Sequence, residues 1–241
     1  MKEKIYTIPV NEAFEQGGEC PFCNLLQKLE AEILDYVLGP SYMEEDVREA
    51  TDAQGFCQAH YQKLFAAQNR LGVALMLHTH LKKINQDLAK LLPADRTAAE
   101  EKQGFLQRKE KNMQSAVYLE KLESSCYACS RMEGRMQSYV ETFFYLWKTE
   151  EAFRQKALES RGFCLLHLKL LFEQGKKLLS PRLFASFLEA VIPLQTENLK
   201  RLEEELDWFV QKFDYRYRDA PWKTAKDALP RAILKISGTH V

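Results

Sequence analysis

A chain of 241 residues can bury a sizeable core as one large domain or two small ones, since domains most often run to about 100–150 residues. Its 34 basic and 34 acidic residues cancel, so no basic field is available to hold nucleic acid or an anionic membrane. The first residues, Met1 to Pro9, lack the apolar core of a signal peptide, and no later stretch reaches the roughly 18 apolar residues of a membrane span, so a cytoplasmic protein is expected.

In chain order, a short apolar lead from Ile5 to Phe14 is broken by Gly17-Gly18 ahead of Cys20-Pro-Phe-Cys23. Leu26, Leu29, Ile33 and Val37 then recur at three and four, one face of a helix, which Gly39-Pro40 ends. Ser41 with Glu44 has the form of a capping box and predicts a shorter helix through Val47 to Asp52. About 14 residues outward and about 10 back return the chain close to its start, which would bring Cys57 near Cys20 and Cys23. Gly55-Phe-Cys57-Gln-Ala-His60 opens a third helix, expected to continue through Leu64, Phe65, Leu71, Leu75, Leu81, Ile84, Leu88 and Leu91, with Pro93 closing the first half. From Ala94 to Asn112 nine of 19 residues are charged, as in a solvated helix or linker.

The second half repeats the scheme. Cys126-Tyr-Ala-Cys129 is followed by an outgoing helix marked by Met132, Met136, Val140 and Phe143, a returning one marked by Phe153 and Leu158, and then Gly162-Phe-Cys164-Leu-Leu-His167. Ser180-Pro181 starts a long helix expected to kink near Pro193 and continue to Phe213. The tail from Tyr215, with an amphipathic stretch to Ile236, belongs to neither repeat and is expected to pack across both. The reading is an all-α fold of two tandem repeats, each a helical hairpin plus a long helix. Its domains are 1–93 and 113–241, joined by 94–112, with the halves packing as one unit.

All six cysteines lie in this repeat, and each half carries C-x2-C followed by C-x2-H. Residues three apart share a helix face, so each pair can point at one ion. Three thiolates and one imidazole are a standard closed set for structural zinc, and four protein donors leave no position for a hydrolytic water. Two zinc ions are therefore expected. Cys20, Cys23, Cys57 and His60 would form one site and Cys126, Cys129, Cys164 and His167 the other, because loop closure costs more with length. A glutaredoxin-type reading of Cys20-Pro-Phe-Cys23 needs a βαβ setting and explains neither Cys57 nor His60. A c-type haem needs His directly after the second cysteine, where Asn24 and Ser130 stand. The same ligands suit an iron–sulfur cluster or a reversible thiol switch. The flexible Gly17-Gly18 lead leaves the thiols of Cys20 and Cys23 easier to reach, so the first of these sites is the expected more labile one, both being structural under ordinary conditions.

Other motifs are fainter. His78 and His80 diverge on a helix, as surface or half-buried histidines do. Tyr215-Arg-Tyr-Arg218 interleaves aromatics with charge, yet four residues in a neutral chain make a weak nucleic-acid surface. No phosphate loop, nucleophile elbow or H-E-x-x-H helix nominates a catalytic centre.

The residues Tyr6 to Phe14, Glu19 to Cys23, Gly39 to Met43, Gly55-Phe-Cys57 with His60, Gln68 to Gly72, Cys126 to Cys129, and Gly162-Phe-Cys164 with His167 resemble an uncharacterised bacterial family, domain of unknown function 6062. The resemblance spans essentially the whole length. It implies a cytoplasmic bacterial protein with this motif order and adds no catalytic residue. Two functions fit: a non-enzymatic scaffold, pinned by two zinc ions, that binds a protein partner, or a thiol-based redox or metal sensor.

Overall fold

The computed structural model describes residues 5–91 and 105–240, residues 105–113 by their backbone alone. Among these residues there are eleven α-helices and no strand, so the fold is all-α. The helices are α1 (Thr7–Glu15), α2 (Pro21–Leu38), α3 (Glu45–Gln54), α4 (Gln58–Ala66), α5 (Arg70–Leu91), α6 (Phe105–Ser124), α7 (Tyr127–Thr149), α8 (Glu151–Leu158), α9 (Leu165–Leu178), α10 (Pro181–Gln211) and α11 (Ala228–Ser237). Short 3-10 turns occupy Pro40–Met43 and Tyr215–Tyr217. Pro93 and residues 94–104 of the charged stretch lie outside the described residues, whereas 105–112 belong to α6.

Two helix expectations are corrected. Ser41 does not cap α3. It is buried in the 3-10 turn begun by Pro40, and Glu44 takes the cap position without a side-chain bond. Glu45 and Asp46 instead place negative charge on the first turn of α3, where the helix dipole favours it. The expected single helix from Cys57 to Leu91 is two, α4 and α5. Asn69 separates them by accepting from Gly72 N at 2.9 Å and donating to Leu38 O at 2.6 Å, so its side chain starts α5 and ties it to the end of α2. In the second half Ser180 caps α10 and Pro181 fills its first turn as expected, and α10 runs through Pro193 as one helix to Gln211.

The chain forms two compact units, one of residues 1–28 with 135–241 and the other of residues 29–134, and both boundaries fall inside helices, α2 and α7. They do not follow the sequential halves 1–93 and 113–241.

The first unit is built around phenylalanine. Phe14 of α1 stacks on Phe143 of α7 at 5.8 Å and meets Phe153 of α8 edge-on at 5.2 Å, while Phe22 of α2 meets Phe143 at 5.6 Å. Phe163, from the Gly-Phe-Cys segment, joins them 6.0 Å from Phe143. Each such pair adds about 0.5–1.5 kcal/mol beyond burial of its area. α11 packs on α9 and α10 within this unit. In the second unit α5 packs against α3, α4 and α6. There Arg48 donates to Thr79 Oγ1 at 2.9 Å, and Thr79 donates to Asp52.

Candidate metal centres

Each C-x2-C and C-x2-H pair begins a helix. Cys20 and Cys126 directly precede α2 and α7, and Cys57 and Cys164 cap α4 and α9. Helix starts expose N–H groups and the positive end of the dipole, which favours sulfur as thiolate. Thus His167 N donates to Cys164 Sγ and Cys129 N to Cys126 Sγ, both at 3.5 Å.

The Gly-Phe-Cys segments aim the third cysteine. Gly55 and Gly162 take φ of +59° and +74°, open to glycine at little cost, and turn the chain sharply into α4 and α9. The phenylalanine between anchors the turn. Phe163 enters the aromatic core, and its backbone is clamped by Gln195, which accepts from Phe163 N and donates to Phe163 O, each at 3.0 Å. Phe56 packs on Tyr61 and Tyr127. Its neighbourhood is pinned by Tyr127 N donating to Gly55 O at 3.0 Å and Ser125 Oγ to Gln54 O at 2.7 Å. His80, expected at the surface or half-buried, is buried beside Gly55 and donates from Nδ1 to Asp52 O at 2.7 Å, while His78 is exposed.

The eight donors gather in two tetrads, but not as the local pairing has it. In the first unit His167 Nδ1 lies 3.4 Å from Cys20 Sγ, 3.4 Å from Cys23 Sγ and 3.1 Å from Cys164 Sγ, with Cys23 and Cys164 sulfurs 3.6 Å apart. In the second unit His60 Nδ1 lies 3.1 Å from Cys57 Sγ, 3.3 Å from Cys126 Sγ and 3.5 Å from Cys129 Sγ, with Cys57 and Cys129 sulfurs 3.8 Å apart. Each C-x2-C meets the C-x2-H of the other half. Helix length explains the correction. The outgoing α2 has 18 residues, about 27 Å, and α3 only 10, about 15 Å, so even an antiparallel return falls well short of Cys20. In the second half 23 residues go out and 8 return.

Within each tetrad the donor atoms all lie within 4.8 Å of one another. For a tetrahedral ion with sulfur at about 2.3 Å and nitrogen at about 2.0 Å, sulfur–sulfur edges are about 3.8 Å and sulfur–nitrogen edges about 3.5 Å. The distances fit that figure. They exclude disulfides, whose sulfurs sit about 2.05 Å apart, and all six cysteines are free. Both groups can hold a metal ion.

Their surroundings differ. Cys20, Cys23, Cys164 and His167 are all buried, whereas Cys57 is half-buried and Cys129 exposed. The expectation that Cys20 and Cys23 are the accessible pair is therefore corrected. The Gly17-Gly18 lead ends before α2 begins, and Cys23 is only 2 % exposed within α2. Hydrogen bonds from Cys20 and Cys23 outweigh burial and pull the Cys164 thiol far down. Burial lowers His167, but Cys164 and Cys20 draw it up to about 9. A proton held against thiolate in this way is what an arriving cation displaces. In the other tetrad burial raises Cys57, but the N–H of His60 and the thiols of Cys126 and Cys129 bring it down on balance. Cys129 is pushed up to about 12 by burial and by Cys126. Burial holds His60 below its ordinary range against the charge of Glu30, favouring the neutral ring that ligation needs. Glu30 Oε1 stands 3.1 Å from His60 Nε2, at ion-pair distance though not aligned as a hydrogen bond.

Sequence reasoning missed the charge network beside the buried tetrad. Glu19, next to Cys20, is 1 % exposed and takes Arg201 Nη2 at 2.7 Å, Arg231 Nη1 at 3.1 Å and Arg161 Nη1 at 3.2 Å. Burial raises its carboxyl, but Arg201, Arg231 and Lys235 bring it below the ordinary carboxylate range. Lys235, fully buried, donates to Glu19 O at 2.9 Å and to Arg161 O. Burial lowers its ammonium against the opposing pull of Glu19, Cys20 and Cys164. The four cations of this network face three carboxylates, Glu19, Glu205 and Asp227. One positive charge remains, equal and opposite to that of a divalent ion with three thiolates and a neutral imidazole. The only available signal was the position of Glu19 directly before Cys20.

Compared with known proteins, the chain matches one family along residues 1–241, the family of unknown function DUF6062. No curated protein and no solved structure matches it.

Proposed function

We propose that this chain, which belongs to the family of unknown function DUF6062, is a cytoplasmic zinc-binding scaffold in which each compact unit is pinned by one Cys3His ion and the helical surfaces receive a protein partner. The observation that carries the reading is the pair of tetrads whose sulfur–sulfur separations, 3.6 and 3.8 Å, match the edge of a tetrahedron around one ion. In an iron–sulfur cluster the ligands bind different irons and stand further apart, so these distances favour a mononuclear site. Four protein donors close the coordination shell, which favours structure over hydrolysis. Apparent zinc binding to such sites is worth about 10–16 kcal/mol in small peptides, comparable with the whole stability of a domain. Free thiols suit a reducing compartment. No helix among the described residues is long and apolar enough to cross a membrane.

Elemental analysis of the purified chain with a visible spectrum tests this. Two zinc equivalents and a blank spectrum are expected. Iron with a broad charge-transfer band would replace the reading with a cluster protein, and absence of metal would overturn both.

A further inference from the structure

The two tetrads use the same donors but differ in what surrounds them. In the first unit Cys20, Cys23 and Cys164 are 0 %, 2 % and 0 % exposed, so no oxidant can approach their sulfurs without local unfolding. In the second unit Cys129, within α7, is exposed and Cys57, at the cap of α4, is half-buried, with their sulfurs 3.8 Å apart. Cys126 and His60 lie beneath them, buried at 5 % and 4 %. The second tetrad thus offers an oxidant one reachable sulfur with a second already beside it. That is the arrangement of an attacking and a resolving thiol.

We propose that the Cys57–His60–Cys126–Cys129 site is an oxidative modification site for hydroperoxides, in which Cys129 and Cys57 close a disulfide and the metal of that unit is released, while the buried site keeps its own. This rests on the reading of both tetrads as zinc sites. Cys129 sulfur attacks the outer oxygen of the hydroperoxide. A sulfur–oxygen bond forms, the oxygen–oxygen bond breaks, and the departing oxygen takes a proton to leave as alcohol, or as water when the oxidant is hydrogen peroxide. Cys57 sulfur then attacks Cys129 sulfur. The sulfur–sulfur bond forms, the sulfur–oxygen bond breaks, and hydroxide leaves as water after taking a second proton. Two thiolates lose two electrons in all, and the hydroperoxide gains them. The oxidised pair no longer donates to the ion, and Cys126 with His60 supply only two of four ligands. A dithiol reductant reverses the change and restores the site.

The test uses the full, zinc-loaded chain. Metal content is measured first, so a chain without zinc overturns the zinc reading before any oxidant is added. Hydrogen peroxide is then added in steps, with released zinc followed by a chromogenic chelator and thiols mapped by alkylation and peptide mass spectrometry. The expected result is loss of one of the two zinc equivalents together with a Cys57–Cys129 disulfide, with Cys20, Cys23 and Cys164 still reduced and the zinc recaptured after dithiothreitol. Earlier or simultaneous oxidation of the buried tetrad, a Cys126–Cys129 disulfide in its place, or oxidation without zinc loss would each overturn the proposal. Mapping the unaltered chain keeps the result independent of whether Cys129→Ser folds.

Discussion

Gly162 sits at φ +74° with Gln195 Oε1 where a side chain would go, 2.7 Å from an added Cβ. A left-handed backbone costs an L residue about 1–2 kcal/mol. Gly162→Ala is therefore expected to lower stability by about 1–3 kcal/mol and to quicken zinc loss from the buried tetrad, because Gly162 sets the approach of Cys164. Thermal melting and the chelator-driven release rate check this, and an unchanged pair of values would refute it. Glu19→Gln leaves buried Lys235, half-buried Arg201 and Arg231 and exposed Arg161 facing two carboxylates, and breaking a buried network by removing one partner costs about 3–5 kcal/mol. The expected outcome is a large fall in melting temperature that Glu12→Gln, in an exposed pair with Lys28, does not reproduce. All eight candidate donors could be named from the sequence, because cysteine and histidine at spacings of three carry their chemistry locally. Lys235 could not. Its partner Glu19 lies 216 positions away, and neither residue stands out by periodicity.

Among the helices, sequence pattern located most of the elements and failed at their junctions. The apolar repeats after Cys23 and Cys129 marked α2 and α7, and Ser180-Pro181 marked the start of α10. The break between α4 and α5 depends on Asn69 reaching Leu38 O, a contact of 31 positions' separation that no local rule contains. The pairing of the metal sites failed for a related reason: both arrangements use the same residues, and only the unequal lengths of outgoing and returning helices decide between them. Stoichiometry tests the observed pairing. Cys20→Ser and Cys164→Ser should each lose the same zinc equivalent, so the double variant loses no more than either single one. Cys20→Ser combined with Cys57→Ser should lose both. The local pairing requires the reverse, and elemental analysis of the four variants separates the two.

At the scale of the molecule, residues 29–134 form one compact unit and carry a complete donor set, whereas residues 135–241 hold Cys164 and His167 but depend on residues 1–28 for Cys20 and Cys23. A fragment of 29–134 should bind one zinc by itself. A fragment of 135–241 should bind zinc at full strength only when a peptide of 1–28 is added, and calorimetric titration with and without that peptide checks it. Tight binding by 135–241 alone would show that Cys20 and Cys23 are dispensable.

The interleaving of the donors also orders events during synthesis. Cys23 and His167 are separated by 144 positions, about 7–29 s of translation at roughly 5–20 residues per second. Once His60 has been made, the growing chain already holds three cysteines and a histidine, enough to coordinate an ion, and Cys126 is still 66 positions away. The first complete ligand set the nascent protein possesses is thus the wrong one. The mature arrangement is reached if α2 and α3 form early and hold Cys20 and Cys23 away from Cys57, if a metal ion binds late, or if Cys57 and His60 exchange early partners for Cys126 and Cys129 while Cys20 and Cys23 wait for the last third of the chain.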